Sequence, residues 1–201
     1  MQSVSVVALP LDAMSALIGP ERSARFMQAA DRAREMLSGR TVWNVNATAQ
    51  GGGVAEMLQT ILAGAISLGI DTRWVVLDGD PEFFAITKRM HNMLHGDAGD
   101  GGELGPDEHA QYERTLSANT ATIVEQIKPG DIVLLHDPQT AGMIKPLRDA
   151  GAHVIWRSHI GKDETNEIAH RAWAFSRPYV EHAEVVVVSR PTYAPPFTNP
   201  D

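Results

Sequence analysis

Residues 41–68 constrain the fold more than any other part of the chain. They read TVWNVNATAQGGGVAEMLQTILAGAISL: a short apolar run, a polar stretch that ends in three glycines, and a segment whose apolar residues recur every three or four positions. That spacing is typical of an amphipathic helix with one buried face. We therefore predict a strand, a loop and a helix, with Gly51, Gly52 and Gly53 at the start of the helix.

Glycines at a helix N-terminus have two interpretations. Without a Cβ, the backbone can approach a bound group closely, and the free N–H groups and the helix dipole favour an anion. The triplet therefore predicts a phosphate or polar-sugar site, and the alternative is that it only lets the strand turn into the helix. The dinucleotide fingerprint G-x-G-x-x-G is absent, and the loop at residues 47–50 is longer than that motif's tight turn.

The next segment completes a β–α–β unit. Residues 72–77 (TRWVVL) follow Gly69 and are rich in β-forming apolar residues, so the two strands are expected to be parallel with a right-handed crossover. Asp78 then stands where a nicotinamide enzyme places the acidic residue that binds a ribose hydroxyl. The sequence from Asp78 to Pro81 is equally a turn made of turn-forming residues, and both interpretations stay open.

The rest of the chain alternates in the same way. Further strands are predicted at residues 4–9, 131–135, 153–157 and 184–188, and helices at 20–39, 81–94, 106–128, 140–150 and 163–181. Pro146 is expected to shorten its helix, and Pro178 to interrupt the last one. Residues 96–105 (GDAGDGGELG) predict a mobile surface loop. The fold class is therefore α/β, a Rossmann-like parallel sheet with helices on both faces.

Composition limits the classes of partner. The chain has 201 residues with 43% hydrophobic content, enough for one core, and its net charge of −8 with a pI near 5.4 argues against nucleic acid or an anionic membrane surface as a partner. There are no cysteines, hence no disulfides or thiolate metal sites. A signal peptide and a membrane span are absent from the sequence, so we expect a cytoplasmic protein.

The predicted domain organisation has three parts. Residues 1–40 supply a strand and a helix that pack on the main domain, residues 41–190 form the Rossmann-like domain, and residues 191–201 are a linker or tail rich in proline.

Polar residues follow two of the predicted strands. The candidate set is His136, Asp137, Gln139, Arg157 and His159. Ligands of open α/β sheets bind outside the carboxyl ends of the strands, and these donors and acceptors suit a sugar with many hydroxyls. Either histidine alone could be a structural group, and a zinc site from the two histidines with Asp137 has no supporting ligand spacing. A serine or cysteine nucleophile paired with a histidine is not evident.

Four segments carry a resemblance to a known family. They are NATAQGGGVAEML at 46–58, EFFAITKRMHNMLHG at 82–96, HDPQ at 136–139 and WRSHI at 156–160. Together they resemble the N-terminal domain of the glycosyltransferring trehalose synthases, retaining GT-B enzymes related to trehalose phosphorylase. The resemblance runs from about residue 41 to residue 196 and includes little of residues 1–40.

The resemblance implies the N-terminal half of a GT-B fold, in which this domain holds most of the acceptor site and a second domain holds the nucleotide-sugar donor. It implies that His159 lies at the transferred sugar as the catalytic histidine and that Gly52 and Gly53 lie near the donor diphosphate. The acceptor side would be lined by His136, Asp137, Gln139 and Arg157. It implies no cofactor and no metal, with NDP-glucose as the donor substrate.

The expected function is that of the acceptor-side domain of a retaining glucosyltransferase that forms trehalose from NDP-glucose and glucose. The second domain's donor motif is missing from this sequence, so the isolated chain is expected to be inactive, with a C-terminal donor domain or a second copy of the chain as its partner. The alternative is a stand-alone sugar- or protein-binding domain without catalysis. A nicotinamide-dependent oxidoreductase, based on Asp78, is the third hypothesis.

Overall fold

The computed structural model describes residues 1–198, and residues 12–15 by their backbone alone. Within these residues there are six strands: β1 Gln2–Val4, β2 Val42–Asn46, β3 Thr72–Val76, β4 Ile132–His136, β5 His153–Ser158 and β6 Val185–Val188. The α-helices are α1 Leu11–Ile18, α2 Pro20–Met36, α3 Gly53–Ser67, α4 Pro81–Leu94, α5 Pro106–Val124, α6 Ile144–Asp149 and α7 Glu167–Val180. Short 3-10 helices span Pro138–Met143 and Pro191–Tyr193.

The strands form one sheet in the order β1-β3-β2-β4-β5-β6. Strand β1 is antiparallel to β3, and the other neighbours are parallel. The five parallel strands therefore follow the order 2-1-3-4-5 of a doubly wound sheet. This confirms the predicted α/β, Rossmann-like fold.

The main core lies on one face of the sheet. Alternate residues of the strands point to this face, including Trp43, Val45, Val133, Leu135 and Trp156, each at most 1% exposed. Helices α4 to α7 and the 3-10 helix after β4 cover it and contribute Phe83, Met90, Tyr112, Leu116, Met143, Leu147, Trp173 and Phe175. The buried faces of α4 and α5 are those that the apolar periodicity predicts, except that Phe84 of α4 is 37% exposed.

The opposite face is covered over β2 and β3. There α3 buries Ala55, Leu58 and Leu62 against Trp74 and Val76. Helices thus lie on both faces, as predicted.

The last strand differs from the prediction of a buried strand at residues 184–188. Val185 and Val187 are 48% and 38% exposed, because they point away from the main core, against which Val186 packs. Continuous apolar sequence in a strand therefore does not mean burial on both faces here.

The amino-terminal region also differs from the prediction. A first strand is present, as predicted, but its predicted bounds of 4–9 are wrong, since β1 covers only Gln2–Val4. Beyond it, the backbone of Leu9 bonds to α3 and not to a strand: its N–H donates to the Ala63 carbonyl at 3.3 Å, and its carbonyl accepts from Ser67 Oγ at 2.6 Å. Helix α1 was not predicted.

Helix α2 was predicted, and its apolar stripe is the least exposed side of the helix. Ala30 is buried, whereas Phe26 and Met27 are only partly covered. Arg34 donates to the Leu68 carbonyl at 3.0 Å, which ties α2 to the end of α3. No helix within residues 1–198 has both the length and the apolar content needed to cross a membrane.

The carboxyl-terminal region is more regular than predicted. Helix α7 continues through Pro178 to Val180, so the proline does not interrupt it. After β6 the chain packs back onto the domain: the Phe197 ring lies 6.2 Å from that of Trp173. Residues 199–201 of the predicted tail lie outside the described residues.

The loop at residues 96–105 contains no helix or strand, as predicted, and it is attached to α4. The Arg89 guanidinium donates to both carboxylate oxygens of Asp100, at 2.7 and 3.0 Å, and also bonds the Glu103 carbonyl. The hydrogen bond from Arg89 lowers the pKa of Asp100 to about 2. Among the acidic side chains of the loop, that of Asp100 therefore serves this attachment.

Candidate active site

The candidate residues lie at or just after the carboxyl ends of strands, at the point where the strand order reverses in the sheet. From β2 the chain runs to β3 on one side and later returns to β4 on the other side of β2. The crevice outside the carboxyl ends of such strands is where doubly wound sheets bind ligands. The glycine loop follows β2, His136 ends β4, and its register partner Arg157 lies near the end of β5.

His136 and His159 contact each other at this edge. Nδ1 of His136 lies 3.2 Å from Nε2 of His159, and Nε2 of His136 lies 3.2 Å from Oδ1 of Asn44. Burial, together with His159 and Arg157, lowers the pKa of His136 to about 3. Burial and Arg157 lower the pKa of His159 to about 4. Both imidazoles are therefore neutral at pH 7.

Asp137 joins the ends of β4 and β5. Its Oδ1 accepts from the His159 N–H at 2.7 Å, its N–H donates to the Arg157 carbonyl at 2.8 Å, and its carbonyl accepts from Trp156 Nε1 at 3.1 Å. Among the non-glycine residues of the described chain, 1–198, Asp137 alone has a positive φ, of 63°. Such backbone strain occurs most often at functional sites. Burial raises the pKa of this carboxyl to about 6, although the His159 N–H and Arg157 oppose the shift.

Arg157 and Gln139 lie on the same rim with fewer contacts. The Nε atom of Arg157 is buried and has no hydrogen-bond partner among the described residues. Gln139 lies half-buried in the 3-10 helix that follows Asp137. Both side chains thus retain hydrogen-bonding capacity for a bound molecule.

The glycine triplet forms the start of α3, as predicted. Gly51 has a φ of 75°, Gly52 is the N-cap, and no side chain caps the helix. A Cβ at Gly52 or Gly53 would meet no heavy atom within 4 Å, so the space beside them is open. The first N–H groups of α3 are therefore available to an anion, but no hydrogen bond within residues 1–198 joins the triplet to the histidines.

Two residues of this region were missed by sequence reasoning. Asn44 contacts His136, and the polar residues at positions 44 and 46 of an otherwise apolar strand were a signal that could have indicated it. Tyr112 was assigned to an apolar stripe, yet its buried hydroxyl donates to the Pro138 carbonyl at 2.5 Å and accepts from the Gly142 N–H at 3.1 Å. Tyr112 thereby fixes the 3-10 helix that carries Gln139.

The alternative sites gain no support. Within residues 1–198, no three His, Asp or Glu side chains gather as a metal site would require. The carboxylate of Asp78 pairs with the amino terminus of Met1, and Asp80 caps α4 by accepting from the Phe83 N–H at 2.8 Å. These contacts favour the turn interpretation of residues 78–81.

Comparisons with known proteins agree with this architecture. Residues 44–195 match the family model described as "Trehalose synthase, N-terminal domain". The chain is 32% identical over 186 residues to a trehalose synthase of Pyrococcus horikoshii and 34% identical over 164 residues to one of Rubrobacter xylanophilus, alignments that cover 92% and 80% of this chain. A trehalose phosphorylase of Pleurotus sajor-caju is 30% identical over 136 residues, or 64% of this chain.

The chain spans only part of these relatives: 42% and 38% of the two synthases and 18% of the phosphorylase. The matched range nevertheless runs from β2 to the segment after β6, and the glycine triplet and both histidines lie within it. This chain therefore belongs to the trehalose synthase family, a family of glycosyl-transferring enzymes, and corresponds to the N-terminal domain of its members.

Proposed function

We propose that this chain is the acceptor-side domain of a retaining glucosyltransferase that forms trehalose from NDP-glucose and glucose. The observation that carries the proposal is the family match over residues 44–195. The geometry supports it, because two neutral imidazoles, a carboxyl group and a guanidinium converge at the switch point of the sheet. A sugar needs such a mixture of uncharged acceptors and charged donors.

Each candidate residue has a proposed task. His159 contacts the transferred glucose, and Gly52 and Gly53 lie beside the donor's diphosphate and sugar. His136, Asp137, Gln139 and Arg157 line the acceptor side. Support comes from the hydrogen-bonding capacity that Arg157 and Gln139 retain, and from the open space beside the two glycines.

The proposed reaction needs no protein nucleophile. The bond between glucose C1 and the phosphate oxygen breaks, a bond from C1 to the acceptor oxygen forms on the same face of the ring, and the acceptor's hydroxyl proton passes to the leaving phosphate. The configuration at C1 is then retained, and the protein acts by orienting both substrates and by hydrogen-bonding the transition state.

A donor-binding domain is part of the proposal. Arg157 is the one permanent cation among the candidate residues, and a diphosphate carries more negative charge than a single guanidinium balances. The chain as a whole has a net charge of −8. The countercharges for the donor would therefore come from a second domain, or from a second copy of the chain.

Domain replacement in a known relative tests the proposal. Residues 41–198 replace the matching segment of the Pyrococcus horikoshii trehalose synthase, and trehalose is measured with UDP-, ADP- or GDP-glucose as donor and glucose as acceptor. We expect the chimaeric enzyme to form trehalose and the isolated chain to form none.

Two results would contradict the proposal. Trehalose formation by the isolated chain would show that a donor domain is not required. A folded chimaera that binds the donor but transfers to no sugar would favour the alternative, a sugar- or protein-binding domain without catalysis.

A further inference from the structure

The two histidines contact through their ring edges. Their ring centroids are 5.5 Å apart and their planes are inclined by 19°, while Nδ1 of His136 and Nε2 of His159 are only 3.2 Å apart. The facing nitrogens are thus much closer than the ring centres, as expected for a nitrogen-to-nitrogen hydrogen bond. One of these nitrogens must carry a proton and the other must not.

Asn44 decides which nitrogen carries the proton. Its Oδ1 faces Nε2 of His136 at 3.2 Å, and an amide oxygen can only accept a hydrogen bond. Nε2 of His136 must therefore be protonated. Since a neutral imidazole has one N–H, Nδ1 of His136 is an acceptor, and Nε2 of His159 must donate to it.

We propose that Asn44 and His136 act as positioning residues that hold His159 in the tautomer protonated at Nε2, so that its unprotonated Nδ1 accepts a hydrogen bond from a substrate hydroxyl. Asn44 is 4% and His136 2% exposed, so water does not compete for their contacts. Burial, assisted by the charge of Arg157, disfavours a second proton on either ring. Each ring therefore keeps one N–H.

The consequence for the ligand rests on the proposed function. Within residues 1–198, no hydrogen bond reaches Nδ1 of His159, which leaves this lone pair to a bound molecule. An unprotonated nitrogen can pair with a sugar hydroxyl, which donates, but not with an ionised phosphate oxygen, which only accepts. His159 would thus select the sugar part of the donor and not its diphosphate.

Nitrogen NMR of the ligand-free chain, labelled with ¹⁵N-histidine, tests the tautomer directly. At pH 7 we expect His159 to show a protonated Nε2 and an unprotonated Nδ1. In Asn44→Leu the Nδ1 shift of His159 should move towards the average of the two tautomers, because His136 loses the acceptor that fixes its proton.

Asn46→Leu is the matched control. Asn46 is equally buried on the same strand and face, but it bonds Trp74 and Thr48 and not the histidines. Its substitution should leave the His159 shifts at their wild-type values.

A wild-type His159 that is protonated at Nδ1, or that exchanges between both tautomers, overturns the inference even if a variant fails to fold. An Asn44→Leu spectrum in which the His159 nitrogen shifts are unchanged also overturns the inference. Because no sugar is present, these results do not depend on the proposed function, whose failure would appear only in the trehalose assay.

Discussion

At the scale of single residues, the ring and the backbone of His159 have separate roles. The backbone N–H donates to Asp137 and holds the ends of β4 and β5 together, whereas the ring contacts His136. A substitution can therefore remove the ring while the backbone bond stays. This separation makes its contributions to turnover and to stability measurable independently.

His159→Ala in the chimaeric enzyme should lower kcat about a hundredfold to a thousandfold, the effect of losing one transition-state hydrogen bond of about 2.7 to 4 kcal/mol. The free energy of unfolding should fall by only about 1 kcal/mol, because one half-buried hydrogen bond to His136 is lost. Steady-state kinetics and urea unfolding measure the two quantities.

His153→Ala is the control for this substitution. His153 is the first residue of β5, at the end opposite to His159, and it is exposed and paired with Glu184. Removing the His153 imidazole should leave the kcat of the chimaeric enzyme unchanged. A His159→Ala enzyme that melts much earlier yet keeps its turnover would show that His159 is a structural residue.

At the scale of elements, Asp131 fixes the amino ends of β2 and β4. Its carboxylate accepts from the Thr41 N–H at 2.9 Å, from Trp43 Nε1 at 3.1 Å and from the Lys128 N–H at 3.0 Å. Burial by itself raises the pKa of this carboxyl, but the three donors and the charge of Lys128 lower it below its usual value. The carboxylate is therefore a stabilising anion at neutral pH.

Asp131→Ala should lower the free energy of unfolding by at least about 3 kcal/mol, because it leaves buried donors without an acceptor. Asp71→Ala is the control: Asp71 also accepts from Thr41, through the hydroxyl at 2.7 Å, but it is exposed. The free energy of unfolding of Asp71→Ala should fall by less than about 1 kcal/mol. Equal losses in urea unfolding of the two variants would contradict the assignment.

The loop at residues 96–105 is the predicted site of first internal proteolysis, since it buries almost no apolar side chain. Arg89 restrains it, so Arg89→Ala should speed cleavage there severalfold. Lys88→Ala is the control, because the exposed Lys88 makes no hydrogen bond or ion pair within residues 1–198. Mass spectrometry of the fragments identifies the cleaved bond, and early cleavage elsewhere would argue against the prediction.

At the scale of the whole molecule, the site residues affect how stability depends on pH. His136 and His159 have folded pKa values of about 3 and about 4, below the usual 6.5, so unfolding lets both take up protons as the pH falls below 6.5. Asp137 acts in the opposite sense, because its folded pKa of about 6 lies above the usual 3.8. His91 and His109 also have lowered pKa values in the folded chain, so they too take up protons on unfolding as the pH falls.

The free energy of unfolding should therefore fall as the pH is lowered from 6.5 towards 4, since the unfolded chain binds more protons than the folded one. Asp137→Asn should make this loss steeper, because it removes a carboxyl group whose raised folded pKa opposes the loss. Urea unfolding at half-unit pH intervals gives the slopes. Equal slopes for the wild type and the variant would show that Asp137 does not hold a proton in the folded chain at pH 5.

The alternation of apolar strands and amphipathic helices was enough to predict the fold class and to bring the candidate residues to one edge of the sheet. Local sequence succeeded there because strand direction and strand ends follow from a repeated β–α pattern. It failed at β1, at α1 and after β6, where the structure depends on contacts that no local pattern records. The backbone of Leu9 bonds to α3, and Phe197 packs on Trp173.

The sequence by itself determined the doubly wound architecture, the glycine triplet at a helix start and the placement of His136 and His159 after neighbouring strands. Only the tertiary structure decided their chemistry. Asn44 and His136 are 92 positions apart, and the positive φ of Asp137 and the neutral state of both imidazoles arise from packing around them. Burial and long-range hydrogen bonds set tautomers and pKa values, and both exist only after distant segments have come together.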